Sequence, residues 1–133
     1  MLRLEIVTPE KRVFDAEVDS VTVPTLTGEA GILPNHASFI SALKPGILTY
    51  SVKGATDKLA VSGGFVEVNG NSVSVLADTA ASAADIDIVE AKIEKETAEK
   101  AFAAVASSSL EEAEPAREHL EAANIRVQLA GTK

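Results

Sequence analysis

Apolar and polar residues alternate in short runs through the first 76 residues, a pattern typical of strands that bury one face. Turn-forming pairs interrupt the pattern at short spacing. This arrangement predicts about eight to ten short strands folded as a sandwich or a flattened barrel. The alternating runs include residues 2–6, 20–23, 66–68 and 72–75, and the interrupting pairs include Pro45-Gly46, Lys53-Gly54 and Gly63-Gly64.

Two glycine-containing segments carry more specific predictions. Asn69-Gly70 separates two alternating runs, and both residues tolerate a positive φ, so we expect a two-residue type I′ hairpin turn there. Gly63-Gly64 lies within strand-like sequence and suggests a bulge or the close approach of another backbone. We assign Phe65, which follows this pair, to the core.

Beyond Leu76 the composition changes. Residues 1–76 contain 11 of the 14 valines and 7 of the 8 glycines, whereas residues 77–133 contain 16 of the 22 alanines. The first mixture is typical of strands and the second of helices. We place the boundary in the small-residue segment 79–84, so the sequence predicts an all-β domain over 1–84 and an antiparallel two-helix hairpin over 85–133.

The first predicted helix begins at Asp85, as its cap, and ends near Ser107. A capping box at Ser109-x-x-Glu112 would begin the second helix but leave Pro115 inside it, at a cost of about 3 kcal/mol. We therefore predict that the second helix begins near Pro115. The expected apolar positions are Ile86, Val89, Ile93, Ala101 and Val105 in the first helix and Ala113, Ala116, Leu120, Ala123, Val127 and Ala130 in the second.

Alanine dominates this seam, and each missing buried methylene forfeits about 0.8 kcal/mol of packing. One interpretation is a weakly held hairpin that detaches from the sandwich and extends. The other is a permanently docked hairpin whose small residues allow close packing. The pattern alone does not distinguish them.

Charge and composition exclude several classes of function. The formal charge of −8 and the pI near 4.7 argue against non-specific binding to nucleic acid or insertion into an anionic lipid surface. The chain has no cysteine, which excludes thiolate catalysis and disulfides. Its first residues alternate instead of forming the apolar core of a signal peptide, so we expect a cytosolic location.

Catalytic and metal-binding patterns are absent from the sequence. The two histidines, His36 and His119, lack a second ligand at metal-binding spacing, and Ser38 lies outside any nucleophile motif. Asp85-x-Asp87 is typical of a helix N-terminus. We therefore predict no metal and no catalytic site. A small hydrolase on a β scaffold would need a convergent acid-base site that two isolated histidines do not provide.

One segment is more elaborate than a strand connection requires. Residues 28–37, Gly-Glu-Ala-Gly-Ile-Leu-Pro-Asn-His-Ala, combine glycine, proline and apolar residues with the acid Glu29 and the imidazole of His36. This composition indicates a contact surface. The alternative is an ordinary connection in which Ile32 and Leu33 both point into the core.

Across nearly its whole length the chain resembles the epsilon subunits of bacterial F-type ATP synthases, which are called delta in mitochondria. The resemblance is carried, in this order, by Val7-Thr8-Pro9-Glu10, Phe14-Asp15, the segment 28–37, Leu43-Lys44-Pro45-Gly46, Gly63-Gly64-Phe65-Val66-Glu67-Val68 and Val73-x-Val75-Leu76-Ala77-Asp78. It implies a sandwich of about ten strands followed by a two-helix hairpin.

The resemblance also implies a function. The chain is expected to be a non-catalytic rotor subunit that joins the gamma subunit to the ring of c subunits and couples proton flow to ATP synthesis. The family's ring contact falls on Glu29, Gly31 and His36. As part of the complex, the chain would be peripheral, on the cytoplasmic face of the bacterial inner membrane.

In this family the hairpin can extend toward the alpha/beta catalytic head and inhibit ATP hydrolysis. Some relatives bind a regulatory ATP through an Ile/Leu-Asp-x-x-Arg-Ala motif, which falls on Ile86, Asp87 and Ala91, with Arg126 on the second helix. Here Glu90 replaces the motif arginine, and a carboxylate repels a triphosphate, which argues against regulatory ATP. No cofactor is expected. The resemblance implies that the inhibitory form meets an acidic segment of the catalytic head, and residues 85–133 carry a net charge of −5, so we predict weak inhibition.

A free-standing β-sandwich binding module with a helical oligomerisation tail is the remaining alternative. A coiled-coil tail would need larger seam residues than Ala113, Ala116, Ala123 and Ala130. The resemblance is therefore the preferred interpretation.

Overall fold

Ten strands form two five-stranded sheets that pack face to face in the computed structural model, which describes residues 1–131 apart from the side chain of His36. The order is β2-β1-β9-β8-β5 in sheet A and β10-β7-β6-β3-β4 in sheet B, and all neighbours are antiparallel except β1 and β9. The strands are β1 Leu2–Val7, β2 Arg12–Val18, β3 Ser20–Thr25, β4 Gly28–Ile32, β5 His36–Ala42, β6 Gly46–Val52, β7 Ala55–Ser62, β8 Phe65–Gly70, β9 Ser72–Leu76 and β10 Thr79–Ser82.

Alternation along the strands builds the core between the sheets, as predicted. On β1 the residues Leu2, Leu4 and Ile6 are fully buried, while the intervening side chains face outward. The same period holds in β8 and β9, where valines supply the inner face. A sandwich of ten strands therefore confirms the predicted architecture.

The turn between β8 and β9 differs from the prediction by one residue. Asn69 pairs with Ser72, so the two turn residues are Gly70 and Asn71, and the φ angle is positive at Gly70 but not at Asn71. This is the pattern of a type II′ turn, so the predicted type I′ turn is wrong. A type I′ pattern occurs instead at residues 53–54, between β6 and β7, where both φ angles are positive.

One predicted core position is corrected, and the alternative in which Ile32 and Leu33 both point into the core holds for Ile32 only. Phe65 is 57% exposed, because Val66 and Val68 occupy the inner face of β8 and the alternation turns Phe65 outward. Ile32, the last residue of β4, is buried, but Leu33, the first residue of the connection to β5, is exposed. The segment 28–37 therefore contributes Ile32 to the core and presents Leu33 to solvent.

The segment predicted as a hinge is partly ordered as strand β10, which is followed by a short 3-10 helix, Ala83–Asp85. Helix α1 then spans Ile88–Val105. Its cap is Asp87, not the predicted Asp85, since the Asp87 carboxylate accepts hydrogen bonds from the backbone N–H groups of Val89 and Glu90. Asp85 instead accepts a hydrogen bond from the Ser82 hydroxyl.

Helix α2 spans Leu110–Ala130, so the predicted start near Pro115 is wrong. Pro115 is the sixth residue of the helix and removes one backbone donor, which would bond the carbonyl of Glu111. Because Glu111 is exposed, water can satisfy that carbonyl. Acidic residues in the first turn favour the positive end of the helix dipole, and Arg117 pairs with Glu114 across the proline, so the longer helix is stabilised.

The two helices pack against each other and dock on the outer face of sheet B. Their shared cluster with the sheet consists of Ala60, Ile86, Ala91, Leu129 and Ala130. On α1 the buried positions are Ala91 and Ala98, whereas Val89 and Ile93, predicted to face the partner helix, are exposed. On α2 the predicted Ala123 and Ala130 are buried. Small side chains therefore form the seam, but on a different face of α1 from the predicted one.

Candidate functional site

The outer strand of sheet B, β4, presents two of the three residues predicted to contact a ring of partner subunits. Glu29 and Gly31 are exposed on the same face of the strand, about 7 Å apart along it. The alternate residue Ile32 is buried in the core. Apart from Gly31 and its two chain neighbours, no residue has an atom within 4 Å of the position a side chain would take at Gly31, so a partner backbone could approach closely here.

The third residue, His36, begins β5, the outer strand of sheet A, and its backbone pairs with Gly70. Its side chain lies outside what the structure describes. The connection between β4 and β5 is fixed by Asn35, whose φ is positive and whose N–H donates to the Asn71 side-chain oxygen at 2.7 Å. The two outer strands and this connection form one edge of the sandwich, which we call the β4–β5 edge (residues 28–42).

A second exposed surface lies on the outer face of sheet A and was missed by the sequence interpretation. Phe65 and Leu76 are directly opposed on β8 and β9, and Leu76 is in turn opposite Val7 on β1. Phe65 and Leu76 are both more than half exposed. With Pro9 they line a cavity of about 310 Å³. We call this group of four residues the apolar row.

Ion pairs flank the apolar row on the same face. Arg3 contacts Asp15 at 2.6 Å, and Arg12 contacts both Asp15 and Glu5 at 3.2 Å. Ile40 is exposed beyond Glu67 on the opposite flank. An apolar centre with a charged rim is the usual composition of a protein–protein interface.

The residues considered for a nucleotide site have structural roles in the docked hairpin. Ile86 and Ala91 are buried in the cluster that joins the hairpin to sheet B, and Asp87 caps α1. Arg126 lies 3.4 Å from the Glu94 carboxylate, and its Nε atom is buried without a hydrogen-bond partner. Glu90 is exposed on the first turn of α1.

These residues do not fit a triphosphate. The single arginine of the group is already paired with a carboxylate, and Glu90 adds a second negative charge on the same helix. Binding a polyanion here would require breaking the Arg126–Glu94 contact and placing phosphates near both acids. The geometry therefore gives no support to ATP at this position.

Chemistry elsewhere is sparse. In the described part of the chain, no three acidic or histidine side chains come together as metal ligands. The Ser38 hydroxyl donates to the Asn69 side chain at 3.3 Å. Neither helix, over residues 1–131, has the length and apolar character needed to cross a bilayer.

Comparisons with known proteins agree with this picture. The family model described as "ATP synthase, Delta/Epsilon chain, beta-sandwich domain" matches residues 1–83. A protein named ATP synthase epsilon chain from Desulforamulus reducens is 52% identical over 98 residues, which cover 74% of each chain. One of the same name from Nitratidesulfovibrio vulgaris is 49% identical over 104 residues, covering 78% of each.

Solved structures are similar over both the sandwich and the hairpin. A chain in the mitochondrial ATP synthase of Euglena gracilis, in a structure of OSCP, F1 and c-ring, superposes with a TM-score of 0.77 at 25% identity and covers 99% of this chain and 81% of that one. A chain of the Tetrahymena thermophila central stalk and c-ring structure has a TM-score of 0.62 at 16% identity, covers 97% and 96%, and shares the fold. The chain belongs to the delta/epsilon chain family of ATP synthases.

Proposed function

We propose that the chain is a non-catalytic rotor subunit in the central stalk of an F-type ATP synthase, where it joins the gamma subunit to the c-ring and couples proton flow to ATP synthesis. The observation that carries the proposal is the similarity of the whole chain, sandwich and hairpin together, to a chain of an ATP synthase with its c-ring. As part of that complex, it would lie at the cytoplasmic face of the bacterial inner membrane.

We assign the ring contact to the β4–β5 edge. Glu29 supplies a charge on an exposed face, and Gly31 leaves the adjacent backbone open. A polar loop of a ring subunit could therefore bond Glu29 while lying close to the strand. His36 completes the assignment by its position at the start of β5.

We assign the gamma contact to the apolar row. An exposed pair such as Phe65 and Leu76, set in a shallow cavity, is the kind of anchor on which subunit interfaces depend. The apolar row lies on sheet A, whereas the hairpin docks on sheet B. The gamma contact and the docking of the hairpin can therefore occur at the same time.

Co-purification from the source membranes tests these assignments. Tagged wild-type chain should recover both gamma and c subunits. Glu29→Lys should reduce recovery of c subunits while retaining gamma, and Glu99→Lys, the same charge change on the exposed face of α1, should retain both. Failure of the wild-type chain to recover either subunit contradicts the function. Equal losses with both variants contradict the assignment of the ring contact.

For the hairpin we propose weak inhibition of ATP hydrolysis without a bound ATP. Its net charge of −5 opposes docking on an acidic segment of the alpha/beta head, and its nucleotide positions do not fit a triphosphate. Hydrolysis should therefore change little when the complex carries a chain ending at Ala84. A several-fold rise in ATP hydrolysis on truncation contradicts weak inhibition. If the inhibition exerted by the full-length chain changes with ATP concentration, the absence of nucleotide control is contradicted.

A further inference from the structure

Glu67 is an isolated charge on the exposed outer face of sheet A. It points outward from β8, because Val66 and Val68 on either side of it are buried. Ser74 on β9 and Ile40 on β5 lie directly opposite it. Within the described residues, no ion pair includes Glu67. The free chain therefore supplies no opposite charge to this carboxylate.

The surroundings of Glu67 on this face are uncharged. Along its own row, the next charge is Glu5, two strands away at about 10 Å, and it is also negative. The two arginines of the face are already engaged: Arg3 contacts Asp15, and Arg12 contacts Asp15 and Glu5. The eight positions around Glu67 are Ser38, Ile40 and Ala42 on β5, Phe65 and Asn69 on β8, and Ser72, Ser74 and Leu76 on β9.

The nearby lysines belong to other parts of the sandwich. Lys44 follows β5, but its N–H donates to the carbonyl oxygen of Pro24 at 3.1 Å, so the chain has crossed to sheet B at that point. Lys11 lies in the connection between β1 and β2, on the opposite side of sheet A from β5. Neither lysine forms an ion pair with Glu67.

A subunit that covers the apolar row also covers Glu67. A stable interface buries about 800 Å² on each partner, which is a patch roughly 30 Å across. Glu67 lies about 7 Å along β8 from Phe65, and the exposed Ile40 lies on its other side, toward β5. An interface centred on Phe65 and Leu76 therefore surrounds Glu67 and removes water from its carboxylate.

We propose that Glu67 pairs with a basic side chain of the gamma subunit, and that this pair fixes the position of gamma on the apolar row. The inference rests on the proposed gamma contact. A carboxylate that loses its water without gaining a partner weakens an interface strongly, whereas a bonded cation compensates its charge.

An arginine fits the site best. Its planar guanidinium group can bond the Glu67 carboxylate and lie over the ring of Phe65, which is on the same face of β8. A cavity of about 330 Å³, lined by Ser38, Ile40 and Glu67 among others, leaves room for the head of a long side chain.

Binding is measured by biolayer interferometry between the full-length chain and the gamma-containing complex purified from cells that lack the chain. Glu67→Gln keeps the shape and removes the charge, so the affinity should fall about tenfold or more, mainly through faster dissociation. Glu67→Asp keeps the charge and should retain most of the affinity. Glu99→Gln, at an exposed acid on α1, is the matched control and should bind as the wild type does. The urea midpoint of the free chain should be the same in all three variants.

Charge reversal tests the sign of the partner group. Glu67→Arg should bind more weakly than Glu67→Gln, because two cations repel each other. When each lysine and arginine of gamma is replaced in turn by glutamate, one of these gamma variants should restore the binding of Glu67→Arg. If none restores it, or if Glu67→Arg binds as the wild type does, the inference is wrong.

Phe65→Ser separates this inference from the gamma contact itself. Weaker binding by Phe65→Ser together with unchanged binding by Glu67→Gln overturns the pairing of Glu67 and leaves the gamma contact standing. Unchanged binding by Phe65→Ser, or no binding by the wild-type chain, contradicts the gamma contact and the inference with it.

Discussion

Gly64 lies directly against the backbone of Leu76, and a methyl group at Gly64 would overlap the Leu76 carbonyl oxygen. The φ angle of Gly64 is +86°, a conformation that residues with side chains rarely adopt. This close approach lets β8 begin beside the end of β9 and brings Phe65 opposite Leu76. The apolar row on sheet A therefore depends on the paired glycines that precede it.

Gly64→Ala should destabilise the protein by more than about 3 kcal/mol, because steric overlap adds to backbone strain. Gly54→Ala is the matched control: its φ is also positive, at +82°, but the space around it is open. That variant should cost only about 1–2 kcal/mol, the strain alone. Urea unfolding followed by circular dichroism measures both. Equal costs for the two variants would show that the contact with Leu76 adds nothing.

Phe65→Ser and Leu76→Ser should each weaken the proposed gamma contact by about tenfold or more, since buried anchors of an interface carry most of its binding energy. Both residues are exposed in the free chain, so the free energy of unfolding should change by less than about 0.5 kcal/mol. Recovery of gamma from membranes and urea unfolding give the two readouts. Leu110→Ser, at an exposed position on α2, is the control; an equal loss of gamma with it contradicts the assignment.

Local alternation predicted the inner faces of the strands because each position there depends only on its neighbours. The same alternation places Phe65 on the outer face of β8, opposite Val66 and Val68. The exposure of Phe65 could therefore be predicted from the sequence. The apolar row as a surface was not predictable in this way. It requires β1, β8 and β9 to lie side by side, and β1 and β9 are separated by most of the sandwich sequence.

The packing of the helices was harder to predict from the sequence. α1 has two apolar stripes, and the sequence interpretation chose the stripe with the larger side chains, Val89 and Ile93, which are exposed. Close packing against α2 and Ala60 instead selects Ala91 and Ala98, because small side chains let the backbones approach. Of the predicted ring-contact residues, Glu29 and Gly31 are on one exposed face, a consequence of their spacing by two in a strand.

Ala98→Leu should loosen the hairpin, since Ala98 is fully buried and added methylenes in a packed seam cost about 1–3 kcal/mol. Faster amide exchange is expected throughout α1 and α2, with the strands of the sandwich unchanged. Ala101→Leu adds the same group at an exposed position and should leave exchange as in the wild type. Equal amide exchange in the two variants would indicate that the seam accommodates the larger side chain without loosening.

Pro115→Ala should stabilise α2 by about 2 kcal/mol. The alanine restores the N–H that can bond the Glu111 carbonyl, and the gain is partly offset by the greater freedom of the unfolded chain. Helix content and the thermal unfolding midpoint should both rise. Ala116→Gly, at the adjacent helical position, should shift the midpoint in the opposite direction by about 1 kcal/mol. A fall in stability with Pro115→Ala would mean that the proline favours the observed helix start.

The pKa of Tyr50 is raised above its ordinary value of 10.0, first by partial burial and then by the charge of Asp57 and the hydrogen bond to it. The neutral hydroxyl is thus favoured in the folded state, so its stabilising effect is complete below pH 10 and is lost as pH rises through the higher folded pKa. The chain has one tyrosine and no tryptophan, so absorbance at 295 nm reports Tyr50 alone. The midpoint should exceed 10.0 and move lower in Asp57→Asn. Asp15→Asn, which removes a carboxylate on the outer face of sheet A, should leave the titration midpoint unchanged. A midpoint that Asp57→Asn does not change would show that burial alone raises the pKa of Tyr50.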